Sequence, residues 1–194
     1  MQITVVGTGF MGGVLGRALA TAGHEVTFGS RRPDSDDVAG TTSARVASVA
    51  DALASAEVVV LALPGAAVGQ LAAEHRRELE GKLVIDATNQ MGQAVANARA
   101  SLPASIRYAR AFNTLGGENV AEPVFADGQR ADMFFSAPGS DRSTVEQVIS
   151  GVGLRPVYVG EDQEALIDAL FVLWVTLASK QGRGRRMALK LLEG

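Results

Sequence analysis

Three glycines near the start of the chain, at positions 7, 9 and 12, have the type and spacing that bring a backbone against a phosphate. The run Gly7-Thr8-Gly9-Phe10-Met11-Gly12 follows an apolar, strand-like stretch directly and opens a stretch of helical character. In such a unit the first glycine permits a tight turn, the second lets the main chain approach a pyrophosphate, and the third lets helix and strand pack closely. The phosphates then lie at the helix N-terminus, where free N–H groups and the helix dipole favour an anion. Alone the pattern is a glycine-rich turn; between a strand and a helix it is the signature of a dinucleotide site.

Which dinucleotide depends on the end of the second strand, where an Asp or Glu usually holds the adenosine ribose hydroxyls of NAD. Here the chain reads Phe28-Gly29-Ser30-Arg31-Arg32, without a carboxylate. Ser30 can hydrogen-bond a 2′-phosphate, and Arg31 and Arg32 offer guanidinium forks of matching charge and geometry. The expected cofactor is NADP(H); the plain alternative is a solvated basic turn.

Three more segments fall where strands are expected to end: Leu63-Pro64-Gly65, Asp86-Ala87-Thr88-Asn89, and Ala111-Phe112-Asn113-Thr114-Leu115-Gly116-Gly117. Ligands of open α/β sheets bind beyond the carboxyl ends of the strands, so these loops should share one crevice with residues 7–12. Pro64 and Gly65 suit a crossing over the nicotinamide half, and Asn89 and Asn113 are suited to orient a carboxamide or a substrate carbonyl. Turn chemistry alone also accounts for Asn, Gly and Pro at such places.

The elements that must position these residues alternate between strand-like and helical runs, which predicts a doubly wound, mostly parallel α/β sheet. Strands are expected at 2–6, 25–29, 57–63, 82–86 and 106–111, and helices at 10–22, 46–55 and 66–79. Two further strands, 131–137 and 154–159, flank a helix at 141–150. Ser30 to Ser43 reads as a loop of about 14 residues, long enough to be functional or mobile. Residues 1–160 form the expected dinucleotide-binding domain, and 161–194 a C-terminal helical segment. Within that segment Ala165 to Ala178 is apolar almost all round, interrupted by Asp168 and Thr176. Such a helix needs cover on most sides, from its own sheet or from a second subunit. It is too short for a membrane span.

Composition narrows the chemistry. The chain has 194 residues, a formal charge of −3 and no cysteine, which excludes a disulfide framework, a thiol nucleophile and thiolate zinc sites. Only two histidines occur, His24 and His75, and both read as surface residues. No metal site is expected, and no nucleic-acid partner, since a basic balance is lacking. With no basic leader at its start, the chain is expected to be cytoplasmic. Tyr108 and Tyr158 lack the lysine four residues on that marks the short-chain dehydrogenases. No residue offers itself as acid or base, and the chain is too short for the large helical substrate domain of hydroxyacid dehydrogenases. A hydride acceptor that handles its own protons, such as a flavin or deazaflavin, fits this inventory.

The whole pattern resembles the NADPH-dependent coenzyme F420 reductases and their small dinucleotide-binding relatives. GTGFMGGVLGRALATAGHEVTFGSRR resembles the opening glycine loop, helix and Ser-Arg clamp of that family, and VVLALPG, DATN, RAFNTLGGENVAEP and a closing Leu-Trp helix follow in order. The resemblance implies that Thr8, Ser30 and Arg31 contact the NADP phosphate and that Leu63 and Pro64 line the nicotinamide. It also implies a homodimer in which nicotinamide and deazaflavin rings stack for direct hydride transfer. Two departures stand out: Gln90 where relatives often continue with proline, and Asp168 where many have a glutamate-proline pair. The expected activity is hydride transfer between NADP(H) and coenzyme F420. The alternatives are an NADPH-dependent reductase of FAD, FMN or another small molecule, and a non-catalytic NADPH-binding sensor.

Overall fold

The computed structural model describes residues 1–40, 42–90, 97–192 and 194, with Asp127 described by its backbone alone. Residue 41, inside the loop read at 30–43, and residue 193, inside the C-terminal segment, lie outside the described residues.

Six parallel strands form the main sheet: β1 (Gln2–Val6), β2 (Glu25–Ser30), β3 (Arg45–Ser48), β4 (Val58–Leu61), β5 (Leu83–Asp86) and β6 (Arg107–Arg110). Their order is β3-β2-β1-β4-β5-β6, the doubly wound arrangement of a Rossmann fold, with the reversal of winding between β1 and β4. Helices α1 (Phe10–Thr21), α2 (Val49–Ser55), α3 (Val68–Glu74) and α4 (Arg76–Leu79) connect successive strands. Alternation along the strands builds two cores. Val58 and Val60 of β4, with Leu83 and Ile85 of β5, face Leu15 and Leu19 of α1. Val59, Leu61 and Val84 point the other way, onto Leu53, Val68 and Leu71. A strand apolar at every position, such as β4, is the one that must be buried on both faces.

Past β6 the chain forms α5 (Gly117–Ala121), β7 (Asp132–Phe135), α6 (Arg142–Gly151) and β8 (Arg155–Tyr158). Strands β7 and β8 pair in parallel as a second, two-stranded sheet. An antiparallel bridge between Arg110 and Ser136 joins it to the edge of the main sheet. The last helix, α7 (Glu164–Val175), runs into a turn of π-helix at Thr176–Lys180. The tail beyond folds back: the Trp174 indole and the Asn119 amide both donate to the carbonyl of Met187.

Two local expectations are corrected. The helix read at 46–55 begins as strand β3, because Val46 and its neighbours extend the sheet along β2; the helix starts only where Ser48 caps it by accepting from Asp51 N at 3.2 Å. The helix read at 66–79 breaks at His75, which leaves helical geometry at φ −122°. The terminal helix buries only one stripe, Ile167, Asp168, Phe171 and Trp174 among it, and leaves Leu166, Val172 and Leu173 about half exposed. No helix among the described residues is long and apolar enough to cross a membrane.

Candidate dinucleotide site

The glycine loop has the geometry its sequence promised. Gly7 sits at φ +118°, and a Cβ there would lie 2.3 Å from the carbonyl oxygen of Ala62. Gly12 is packed still tighter, since a Cβ would stand 1.9 Å from Gly7 O. Both are therefore needed to bring β1, α1 and β4 together, whereas the side of Gly9 opens on space, with no atom within 4 Å of a built Cβ. Gly9 is also the N-cap of α1; no side chain caps that end and no acidic residue occupies its first turn. Unpaired N–H groups at the head of a helix beside open space are what a pyrophosphate requires, so the residues present fit a dinucleotide. Thr8 lies half-buried in the loop, Phe10 is 66% exposed, and Met11 turns inward onto the core.

Contacts close a ring of loops at the carboxyl end of the sheet. Gly7 abuts Ala62 and Leu63, a Cβ on Gly65 would touch Gln90 and Asn89, and Asn89 Nδ2 donates to Asn113 O at 2.9 Å. The loop after Asn113 returns to the start, where Gly117 lies against the Phe10 ring. The four segments expected to converge do so, with Pro64 exposed on the rim and Leu63 partly covered.

At the end of β2, Ser30 is buried while Arg31 and Arg32 are exposed. The strand end is not free of carboxylate, contrary to the expectation from residues 28–32. A short 3-10 turn at Pro33–Ser35 curls the chain back, and Asp36 Oδ2 accepts the Ser30 hydroxyl at 2.9 Å. The carboxylate comes from six residues on, beyond the window in which the strand end is read.

Behind the ring stands a buried polar cluster whose centre the motifs did not mark. Arg110, the last residue of β6, is wholly buried. Its guanidinium donates to Asp168 Oδ1 from Nε at 2.9 Å and Nη2 at 2.7 Å, and from Nη1 to the carbonyls of Asp86 and Thr88. Asp86, also wholly buried, accepts from Thr88 N, Ala98 N and the Tyr108 hydroxyl at 2.7–2.8 Å. Burial, reinforced by the neighbouring Asp86 charge, raises the Tyr108 phenol far above its ordinary value, so it stays protonated and donates. Asn113 is 1% exposed, its amide 3.4 Å from Asp168, and its Oδ1 has no hydrogen-bond donor. It stands in the crevice wall, not on its surface. The turn before it carries Phe112 at φ +65°, a conformation costly for a non-glycine residue and one that tends to mark functional segments. One sequence signal pointed to this cluster: Asp168 interrupting an apolar helix.

The comparisons with known proteins agree with this geometry. Residues 2–90 match the family described as NADP oxidoreductase coenzyme F420-dependent. Over 182 residues the chain is 27% identical to a glycerol-3-phosphate dehydrogenase [NAD(P)+] of Chlorobium phaeobacteroides, covering 84% of this chain and about half, 54%, of that protein. A structure from Arthrobacter sp. FB24, described as a candidate F420-dependent NADP reductase, superposes with a TM-score of 0.82 at 24% identity, covering 100% of both chains. A Streptomyces aurantiacus imine reductase gives a TM-score of 0.71 at 21% identity, over 91% of this chain and 61% of that one. Residues 2–90 are thus similar to the coenzyme F420-dependent NADP oxidoreductases, and the Rossmann fold is shared from end to end with the Arthrobacter structure.

Proposed function

We propose that the chain transfers hydride between NADP(H) and coenzyme F420, a deazaflavin, by direct contact of the two rings. The observation that carries this reading is the closed ring of loops at the carboxyl end of the sheet, with open space at Gly9 and an uncapped helix head beside it. The family description and the name of the Arthrobacter relative supply the deazaflavin. Gly7, Gly9 and Gly12 admit the pyrophosphate, Ser30, Arg31 and Arg32 hold the 2′-phosphate, and Leu63, Pro64, Asn89 and Asn113 shape the nicotinamide end. When bound, NADPH supplies a hydride, which with one proton from water reduces the deazaflavin and leaves NADP⁺. The chain's own part is orientation and exclusion of water, so no side chain is assigned as acid or base.

The same reading includes a homodimer in the cytoplasm. Leu166, Val172 and Leu173 form an apolar face on α7 that a second copy would cover. The fold shared with imine reductases supports a second reading, an NADPH-dependent reductase of a flavin or another small molecule, although the chain spans only 61% of the length of one such enzyme.

The test mixes the purified protein with NADPH and oxidised coenzyme F420 and follows loss of the deazaflavin's visible absorbance, beside FAD, FMN, a cyclic imine and no acceptor. Bleaching with the deazaflavin alone is expected. Turnover only with another acceptor establishes the second reading, and tight NADPH binding without turnover overturns both in favour of a sensor.

A further inference from the structure

The Ser30 hydroxyl has one proton, and it is already committed. It donates to Asp36 Oδ2 at 2.9 Å, while the oxygen accepts from Arg32 N at 3.0 Å. A hydroxyl offers one donor, so a 2′-phosphate oxygen seated on Ser30 competes with Asp36 for that proton. It also meets the carboxylate charge at hydrogen-bond range, where like charges repel most. The Asp36 loop is not loose at this point, because Arg17 Nη1 of α1 donates to Val38 O at 2.9 Å. Among the described residues neither the Arg31 nor the Arg32 guanidinium has a hydrogen bond or ion pair, so both remain available to an incoming anion. The clamp therefore carries two cations that attract a phosphate and one anion that opposes it.

We propose that Asp36 is a specificity-determining residue: its carboxylate occupies the anion position of the 2′-phosphate clamp and holds the preference for NADPH over NADH below what Ser30, Arg31 and Arg32 would otherwise give. The inference rests on the dinucleotide reading above. With NADH in place, the same carboxylate is an acceptor within reach of the strand end that faces the ribose, so the unphosphorylated cofactor suffers no penalty. Asp36 thus does from a distant turn what an acidic residue at the strand end does in NAD proteins.

Calorimetric titration of the full chain with 2′,5′-ADP, 5′-AMP, NADPH and NADH tests this without turnover. Asp36→Asn keeps the side-chain size and removes the charge; Asp36→Ser is the second variant should the first fold poorly. Either is expected to raise the ratio of NADPH to NADH affinity on the order of tenfold, as loss of one close charge from a charge-assisted site should. Asp34→Asn, an equal change of net charge at an exposed neighbour, is expected to change the ratio less than about twofold, in line with exposed charges generally. In a Ser30→Ala background the effect of Asp36→Asn should shrink, since the contested proton is gone. A ratio unmoved by Asp36→Asn, or moved equally by Asp34→Asn, overturns the proposal while leaving the dinucleotide reading intact. Failure of the unaltered chain to bind any of the four ligands overturns both.

Discussion

Asp168 of α7 takes two hydrogen bonds on one carboxylate oxygen from Arg110 at the end of β6, at 2.9 and 2.7 Å. The C-terminal helix is thereby tied to the sheet through a buried ion pair at the place where the loops of Asn89 and Asn113 meet. Arg110 is wholly buried and has a second carboxylate partner, Asp86 Oδ2 at 3.3 Å, so removing Asp168 leaves its charge paired but strips the acceptor from its Nε and Nη2 donors. Asp168→Ala is expected to cost about 1–3 kcal/mol of unfolding free energy by urea titration, the range for buried donors left without an acceptor. Asp168→Asn, which keeps an acceptor, should cost less. A loss below about 1 kcal/mol would show that α7 is held by its apolar stripe alone.

The three glycines separate packing from binding. Gly7→Ala and Gly12→Ala force a Cβ into backbone atoms and should unfold the chain or lower its melting temperature sharply. Gly9→Ala meets open space, so it should fold normally and lose nucleotide affinity instead. Thermal melts beside NADPH titrations distinguish the two effects; equal destabilisation by all three would sink the assignment of Gly9 to the cofactor.

Arg31→Ala with Arg32→Ala should weaken NADPH by on the order of tenfold to a hundredfold and NADH by little, because only the former presents a phosphate to guanidinium forks. Fluorescence titration with both nucleotides checks this. An unchanged ratio would reduce the pair to a solvated turn.

Acid should loosen the C-terminal tail. Burial alone would push the Asp132 carboxyl up, but Arg155, the Leu191 N–H and Lys190 outweigh it and hold the group below the usual carboxylate value. Its folded-state value lies below that of the unfolded chain, so the stability it contributes is complete above about pH 4–5 and is lost as pH falls through the folded value. Melting temperatures from pH 7 downward should fall in that window, and Asp132→Asn should be less stable at neutral pH with a flatter acid limb. Parallel profiles for the two proteins would contradict the assignment.

The exposed face of α7 gives a test of association. Val172→Asp with Leu173→Asp should leave the fold intact, as both side chains are about half exposed, and convert a dimer to a monomer in light scattering. A monomeric unaltered chain at micromolar concentration removes the interface role.

Local rules carried much of the outcome. The spacing of Gly7, Gly9 and Gly12 after an apolar strand sufficed to place a sharp turn, a close helix and an open, uncapped helix head, because each demand falls on the backbone within six residues. The β-branched run of β4 announced a strand buried on both faces for the same reason of local pattern. Strand β3 was missed because its four residues gain strand geometry only by pairing with β2. What tertiary structure alone decided are the relations between distant charges. Asp36 reaches Ser30 through a turn of the chain, and Asp168 reaches Arg110 across 58 positions. Sequence determines which charges exist and how strands and helices alternate; folding determines which charges share a dry space, and there electrostatic energy depends on distance and burial, which no spacing rule records.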